Sequence, residues 1–528
     1  MATEISAETL REWLYDGEEL ALMDVREPGQ AILGHILFSA PLPFSRFENA
    51  LPALVPNPGV RIVLCDAGDG VAARAAAAAG EMGYAAVHVL RGGVQSWADA
   101  GHTLYQGVNV PSKAFGELVE HADDTPRLTA DEIAKMQAEQ ADMVIVDGRP
   151  LPEFAKMSIP GASCCPNGEL ALRAAAFAPS PETTIIVNCA GRTRSIIGAQ
   201  TLIDAGVPNP VYAMENGTQG WTLAGLTLDH GREGALPSVP QDLAQQQQNA
   251  RALAARHGVE TIHADGLEGW LEDADLTVYL LDVRTAEERA GDDPELAQAM
   301  TACGVVHAPG GQLVQATDQW IGVRNARIVL LDAEDVRAPI TASWLRRLGH
   351  RAFTLEEGLE GLEDLEVESR IDLSGRRGVG KVTPEVLAAR IGAEDLVMLD
   401  LRSSAAYRAG HVVGATWAVR PRLPKIAGGC SAVLITEDAG GASLVAKDLI
   451  AQGAATVQRL TGGMQEWRAA GLEIEVTPDS PADADRIDFQ SFTAGRHEGD
   501  EAASRQYLAW EIALVDQLDA DERAVFRV

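Results

Sequence analysis

Leu22-Met23-Asp24-Val25-Arg26 is an apolar strand running into Asp-x-Arg, and the phrase returns three times: Val146-Asp147-Gly148-Arg149, Leu281-Asp282-Val283-Arg284 and Leu399-Asp400-Leu401-Arg402. The aspartates recur at intervals of about 120 to 135 residues, the length of a small domain. A helix-like segment precedes each copy. One opens with the capping-box pattern Thr129-Ala130-Asp131-Glu132, another with proline in its first turn, Thr383-Pro384-Glu385. A Gly-His or Pro-Gly region follows, clearest in Gly410-His411-Val412-Val413-Gly414-Ala415 and present in Gly34-His35-Ile36 and Ile159-Pro160-Gly161-Ala162. A second apolar strand then meets a loop and a helix: Ile62-Val63-Leu64-Cys65-Asp66, Ile186-Val187-Asn188-Cys189, Ile328-Val329-Leu330-Leu331-Asp332 and Val433-Leu434-Ile435-Thr436. Three units close on glycine followed by Trp97, Trp221 or Trp467, and the other has Leu362. Strand and helix signals alternate throughout. The pattern predicts an α/β fold of four tandem domains, each a mostly parallel sheet flanked by helices, with a C-terminal helical tail.

Composition narrows the function classes. The 528 residues exceed what one core organises, and 46% hydrophobic with 23% charged content is that of a soluble globular chain. No apolar run of about 18 residues is present, so no membrane span is expected. The start Met1-Ala2-Thr3-Glu4 carries no basic-then-apolar secretory signal. Six cysteines are too few for a disulfide scaffold and show no paired zinc spacing, so neither metal nor cofactor is expected, and a reducing cytoplasm fits. The net charge of −33 disfavours nucleic acid and anionic membrane as partners. It also repels small anions in bulk, so an anionic substrate must be drawn in locally.

One loop reads directly as chemistry. Cys189-Ala190-Gly191-Arg192-Thr193-Arg194-Ser195 follows a strand and leads into the helix-like run Ile196 to Ile203. A cysteine there meets unpaired backbone N–H groups and the positive end of a helix dipole, which favour the nucleophilic thiolate. Two cations at a helix start, where the dipole disfavours them, point to a pocket for something anionic.

Taken together, Asp-x-Arg, Gly-His-Ile/Val-x-Gly-Ala, strand-Cys-loop-helix and Leu-x-Gly-Gly-x-x-x-Trp resemble the rhodanese domain, over roughly four fifths of the chain. The resemblance implies a site at a strand's carboxyl end and sulfurtransferase chemistry. Cys189 would take a sulfane sulfur from a donor such as thiosulfate, release sulfite, hold a persulfide and pass the sulfur to cyanide, a thiol or a protein. Arg192 and Arg194 would hold the sulfonate oxygens, because guanidinium forks match oxyanions. The N–H groups of Ala190, Gly191, Arg192, Thr193, Arg194 and Ser195 would ring the persulfide, and Ser195 is the natural helix N-cap, able also to bond the sulfur.

Only the second unit has this cysteine. Asp66, Asp332 and Thr436 (or Glu437) stand in its place elsewhere, and a carboxylate forms no persulfide. Cys65 sits one position early, which points it to the opposite face and into the core. Cys164 and Cys165 are either sulfur relays or small buried hydrophobes, the latter being the default. Asp147 and Arg149 recur where no cysteine is present, so a structural ion pair is expected. Glu153 reads as a surface or rim carboxylate. Cysteine phosphatases use C-x5-R, whereas here the arginine falls one residue earlier, at Arg194, and the shorter loop argues against phosphatase or arsenate reductase activity. A second reading from another class is a sulfur-carrier scaffold that binds a partner protein through its degenerate units.

By repeat phase the domains run 1–105 (degenerate), 125–228 (catalytic), 260–368 (degenerate and diverged, with an insertion around Gly304 to Gln319) and 380–476 (degenerate). A polar linker and amphipathic helix occupy 477–528. Gln241 to Arg256 predicts a linker helix between two halves. Ala502 to Leu518 presents Tyr507, Leu508, Trp510, Ile512, Leu514 and Val515, predicting a helix packed on the body or on a second copy in a homodimer.

Overall fold

The computed structural model describes residues 3–362, 365, 367, 371, 378–497 and 499–528. Residues 1 and 368, the expected outer limits of the first and third repeats, lie outside the described residues. The chain divides into two compact units. One comprises Met1–Glu12, Ala21–Gln106 and Ser369–Phe492; the other comprises Trp13–Leu20, Gly107–Glu368 and Thr493–Val528. The first and fourth repeats therefore share a unit, as do the second and third.

Within the second unit, one sheet has the order Arg127–Leu128, Val211–Met214, Thr184–Asn188, Met143–Asp147, Ser163–Cys164, with every pairing parallel. The other repeats the order with Glu260–Ile262, Arg351–Leu355, Arg327–Leu331, Val278–Asp282 and Val306–His307. In the first unit, Gly380–Val382, Thr456–Leu460, Ser431–Ile435, Leu396–Asp400 and Thr416–Trp417 follow it again. Thr3–Ile5, Val87–Leu90, Arg61–Cys65, Leu20–Asp24 and Ala40–Pro41 do so too. Central strands such as Ile185–Asn188 are buried on both faces, as a parallel sheet covered by helices requires. Thr129 and Glu132 form the expected capping box, and a second joins Thr285 and Glu288. The closing tryptophans act alike: the indole N–H of Trp97, Trp221 and Trp467 donates to the carbonyl six residues on. Leu362, in the third repeat, is buried in that repeat's core instead.

The Asp-x-Arg pair is a buried fork. Arg149 Nε and Nη2 donate to the two oxygens of Asp147 at 2.8 and 2.7 Å, and Nη2 reaches Met157 O at 2.6 Å. Arg26 and Arg402 bond their own aspartates and the carbonyls of Gly34 and Gly410, again eight residues on. In the third repeat Arg284 reaches the carboxylate of Asp292 instead. Each fork thus fixes a strand end to the start of the next connection.

Repeats within a unit are joined by guanidinium groups. Arg420 bonds both Glu48 and Asp448 and lies 4.3 Å above the Phe44 ring. Arg337, fully buried, donates to Glu169 and Glu288 at 3.0 and 2.6 Å. The glutamine-rich segment is a helix, Ala244–Arg256, but it does not separate two halves. It lies inside one unit, where Gln247 and Asn249 donate to the carbonyls of Glu334 and Ala205. The tail folds as Glu501–Ile512, Leu514–Gln517 and Ala520–Val525 and packs on its own unit, Phe526 lying 6.0 Å from Phe115. Its buried stripe is Ser504, Tyr507, Leu508, Glu511 and Leu514, while Ile512 faces out. No helix among the described residues is long and apolar enough to cross a membrane.

Asp400→Ala leaves Arg402, only 10% exposed, without its carboxylate. A loss of about 3–5 kcal/mol is expected, read as a lower denaturant midpoint for the first unit.

Candidate active site

The strand Thr184–Asn188 delivers Cys189 to a cavity of about 340 Å³ lined by the loop 189–194, Lys113, Arg149, Glu153, Gln219 and the tail residues Arg496, His497, Tyr507 and Glu511. Gln312, Gln315, Ala316 and Gln319 from the third repeat's insertion complete the wall. The thiol is 2% exposed, yet it opens on this space.

The loop is held from behind. Thr218 N and Gln219 N donate to the carbonyls of Cys189 and Ala190, and Gln219 Nε2 adds a second bond to Ala190 O. Gly217 makes that approach possible: with φ +54°, any Cβ would lie 2.3 Å from Cys189 O. Among the described residues the backbone N–H groups of Ala190, Gly191, Arg192, Thr193 and Arg194 find no protein acceptor. Consecutive free amides at a helix start form an anion-binding concavity.

The corresponding loops of the first and third repeats fill that concavity with their own carboxylate. Asp66 accepts from the amides of Gly68, Gly70 and Ala72 at 2.8, 3.0 and 2.9 Å. Asp332 accepts from those of Asp335, Val336 and Arg337 at 3.1, 3.0 and 2.8 Å. In the fourth repeat Thr436 Oγ1 accepts from Asp438 N and Glu437 from Met464 N. Cys65 is buried and donates to Met23 O, on the core side of its strand.

Ser195 differs from its expected place. The helix begins at Thr193, with Arg192 in the capping position, so Ser195 lies inside the first turn. Its own N–H bonds Arg192 O, which removes it from the set of free amides. Because it does not cap, its hydroxyl reaches Cys189 Sγ at 3.1 Å.

Both arginines are carboxylate-paired. Arg192 sends Nε and Nη2 to Glu117 at 2.6 and 2.9 Å and bonds Glu120 as well, which binds the loop to the helix Val110–Asp123. Arg194 forms a bidentate pair with Glu153 at 2.8 Å on each arm, close enough to Cys189 for the sulfur to help raise its basicity. Burial opposes ionisation of Glu153, but Arg194 and Arg149 outweigh it and keep the carboxyl below its ordinary value.

Sequence reasoning missed Glu117, Glu120, Lys113 and Glu511. Glu511 is buried, accepts from Thr193 Oγ1 at 2.7 Å and pairs with Lys113 Nζ at 3.3 Å. Burial raises its carboxyl, yet Lys113 and Thr193 pull it below the usual range. The helical spacing of Tyr507, Leu508 and Glu511 was the available signal, and it cannot say which wall that stripe meets. Cys164 and Cys165 belong to two separate apolar cores; burial pushes the Cys164 thiol up to about 12 and that of Cys165 well upward.

Comparison with known proteins places this architecture. The rhodanese-like domain family matches residues 6–100, 129–224 and 383–470. The third repeat is not matched, although its sheet has the same strand order. The crystal structure of a thiosulfate sulfurtransferase from Pseudomonas aeruginosa aligns over 99% of both chains with 40% identity and a TM-score of 0.88. A protein of unknown function from Rhodopseudomonas palustris, described as a possible tyrosine phosphatase, is 28% identical over 22% of this chain and 93% of its own, at a TM-score of 0.20. An Anabaena protein is 24% identical over 18% and 81%, at 0.17. Those two local matches carry no weight. No curated protein matches the chain. The chain is a repeated α/β protein with a cysteine in an open amide loop, and it belongs to the rhodanese family.

Iodoacetamide is expected to modify Cys189 while leaving Cys65, Cys164 and Cys165 intact, because those three are sealed in cores with raised thiol pKa values. Peptide mass spectrometry after limited alkylation checks this.

Proposed function

We propose that the protein is a sulfurtransferase that carries a sulfane sulfur on Cys189. The Cys189 thiolate attacks the outer sulfur of an anionic donor such as thiosulfate. The donor's S–S bond breaks and sulfite leaves with the electron pair, so the enzyme keeps a persulfide. A thiophilic acceptor, whether cyanide, a thiol or a protein, then attacks the terminal sulfur and Cys189 departs as thiolate. The observation that carries this reading is the run of free amides from Ala190 to Arg194 around a cysteine, where the first and third repeats turn a carboxylate onto the corresponding amides. Such preorganised dipoles stabilise a terminal persulfide anion without reorganisation. The Ser195 hydroxyl adds a direct donor to the sulfur. The likeness to the Pseudomonas aeruginosa thiosulfate sulfurtransferase supports the same donor class.

In this reading the repeat at 125–228 does the chemistry. The repeats at 1–105, 260–368 and 380–476 are silent: Asp66 and Asp332 close the cups of the first and third, and the fourth has Thr436 in place of the cysteine. Arg192 braces the loop through Glu117 and Glu120, and Arg194 supplies positive potential beside the sulfur. Free cysteines throughout the described chain suit a reducing compartment such as the cytoplasm.

Incubation with thiosulfate is expected to add one sulfur to Cys189, which cyanide or a thiol removes; intact-mass spectrometry reads both steps. Cys189→Ser is expected to abolish transfer while Cys65→Ser leaves it largely intact. No addition to the unmodified protein would reject the enzyme, and addition without discharge by small acceptors would favour a carrier serving a protein partner.

A further inference from the structure

Most cations around the Cys189 cavity already face a carboxylate: Arg192 meets Glu117 and Glu120, Arg194 meets Glu153, Lys113 meets Glu511, and Arg149 meets Asp147. Among the described residues Lys156, exposed at the rim, faces none, and neither does Arg496, which the tail brings and which is half-buried. Among the described residues no carboxylate lies within ion-pair distance of it. Its Nε donates to His497 Nε2 at 3.0 Å, and its guanidinium lies over Tyr507, with Cζ 4.1 Å from the ring centroid. Its Nη1 is buried and has no hydrogen-bond partner. The same holds for Nη1 of Arg149, whose side chain is 0% exposed and whose other nitrogens are taken by Asp147 and Met157 O. Both arginines line the cavity on which Cys189 opens.

Buried guanidinium N–H groups without an acceptor carry a desolvation penalty that an anion in the cavity removes. The charge around them points the same way. Burial first, and then the nearby charges of Arg496, Arg149 and Lys156, lower the pKa of His497 to about 3, a response to positive potential at this wall. Arginine suits the task because its planar fork offers two parallel donors to an oxyanion.

We propose that Arg149 and Arg496 form the receptor for the donor's oxyanion end, with the C-terminal tail supplying the second of the two. The inference rests on Cys189 being the sulfur carrier. In thiosulfate the sulfonate oxygens lie on the two guanidinium groups and the outer sulfur faces the thiolate. When the S–S bond breaks, the electron pair goes to the departing sulfite, whose growing charge meets the same two cations. Arg496 is then a substrate-contacting residue contributed from outside the repeat that carries the cysteine.

The test separates binding from chemistry. Thiosulfate binding is measured by calorimetry on full-length Cys189→Ser protein, which cannot react. Adding Arg496→Ala is expected to weaken binding about tenfold, the loss of one charge-assisted hydrogen bond, with the melting temperature unchanged. Arg496→Lys should recover part of the affinity, since it restores charge without the fork. Equal affinity with and without Arg496, or no measurable binding to Cys189→Ser, overturns the receptor. Failure of the unmodified protein to take up sulfur counts against Cys189 instead, and the binding comparison stands on its own.

Discussion

A carboxylate and a guanidinium two residues apart, sealed from water at the end of a central strand, set the geometry from which the rest of each repeat follows. An unpaired charge in that position would be strongly destabilising, so the pair survives because each charge meets the other through two hydrogen bonds. Asp147 is met by Arg149 and by Asn188 Nδ2 at 2.9 Å, and Gly148 N donates to Asn188 O. The fork therefore ties the end of one strand to the end of its neighbour, and the residue after Asn188 is Cys189. The loop's origin is fixed before any of its own side chains act. That three repeats keep the fork without a cysteine follows directly: it is a requirement of the sheet.

The difference between the repeat that carries Cys189 and the first and third lies one level up, in what the loop's main chain bonds to. An aspartate at the strand end folds back and takes the amides that a thiolate or persulfide would otherwise receive. Asp332 shows the tension this creates. Burial pushes its carboxyl up to about 6 although three backbone N–H groups donate to it. Such a loop is internally satisfied and repels a second anion. The first and third repeats thus differ from the second in an occupied cup as well as in the missing sulfur.

The repeating fold was legible because apolar strands, capping patterns and turn glycines recur in one order, and each has a local cause. Cys189 was legible for the same reason, as a polar interruption where an apolar strand meets a helix. What escaped were the partners. Glu117 and Glu120, which take Arg192, lie on a helix between repeats that carries no motif. Glu511 reads as a solvent-facing charge until the tail is seen to turn that face inward. Ser195 was legible as a residue able to bond the sulfur, but its expected capping role fails because the helix cap lies three residues earlier, at Arg192. Ion pairs across long sequence separations are set by packing, and packing is what one sequence states least directly.

The cavity wall draws on Lys113, the Cys189 loop, the insertion at Gln312 to Gln319 and the tail from Arg496 to Glu511. These four stretches span nearly 400 positions of chain. The repeat bearing the cysteine is consequently not a portable cassette. Cut out at its own ends, it would keep its sulfur and its main-chain cup but stand open to solvent on the sides those other stretches enclose. A change at the tail or the insertion therefore reshapes the cavity without touching the cysteine loop.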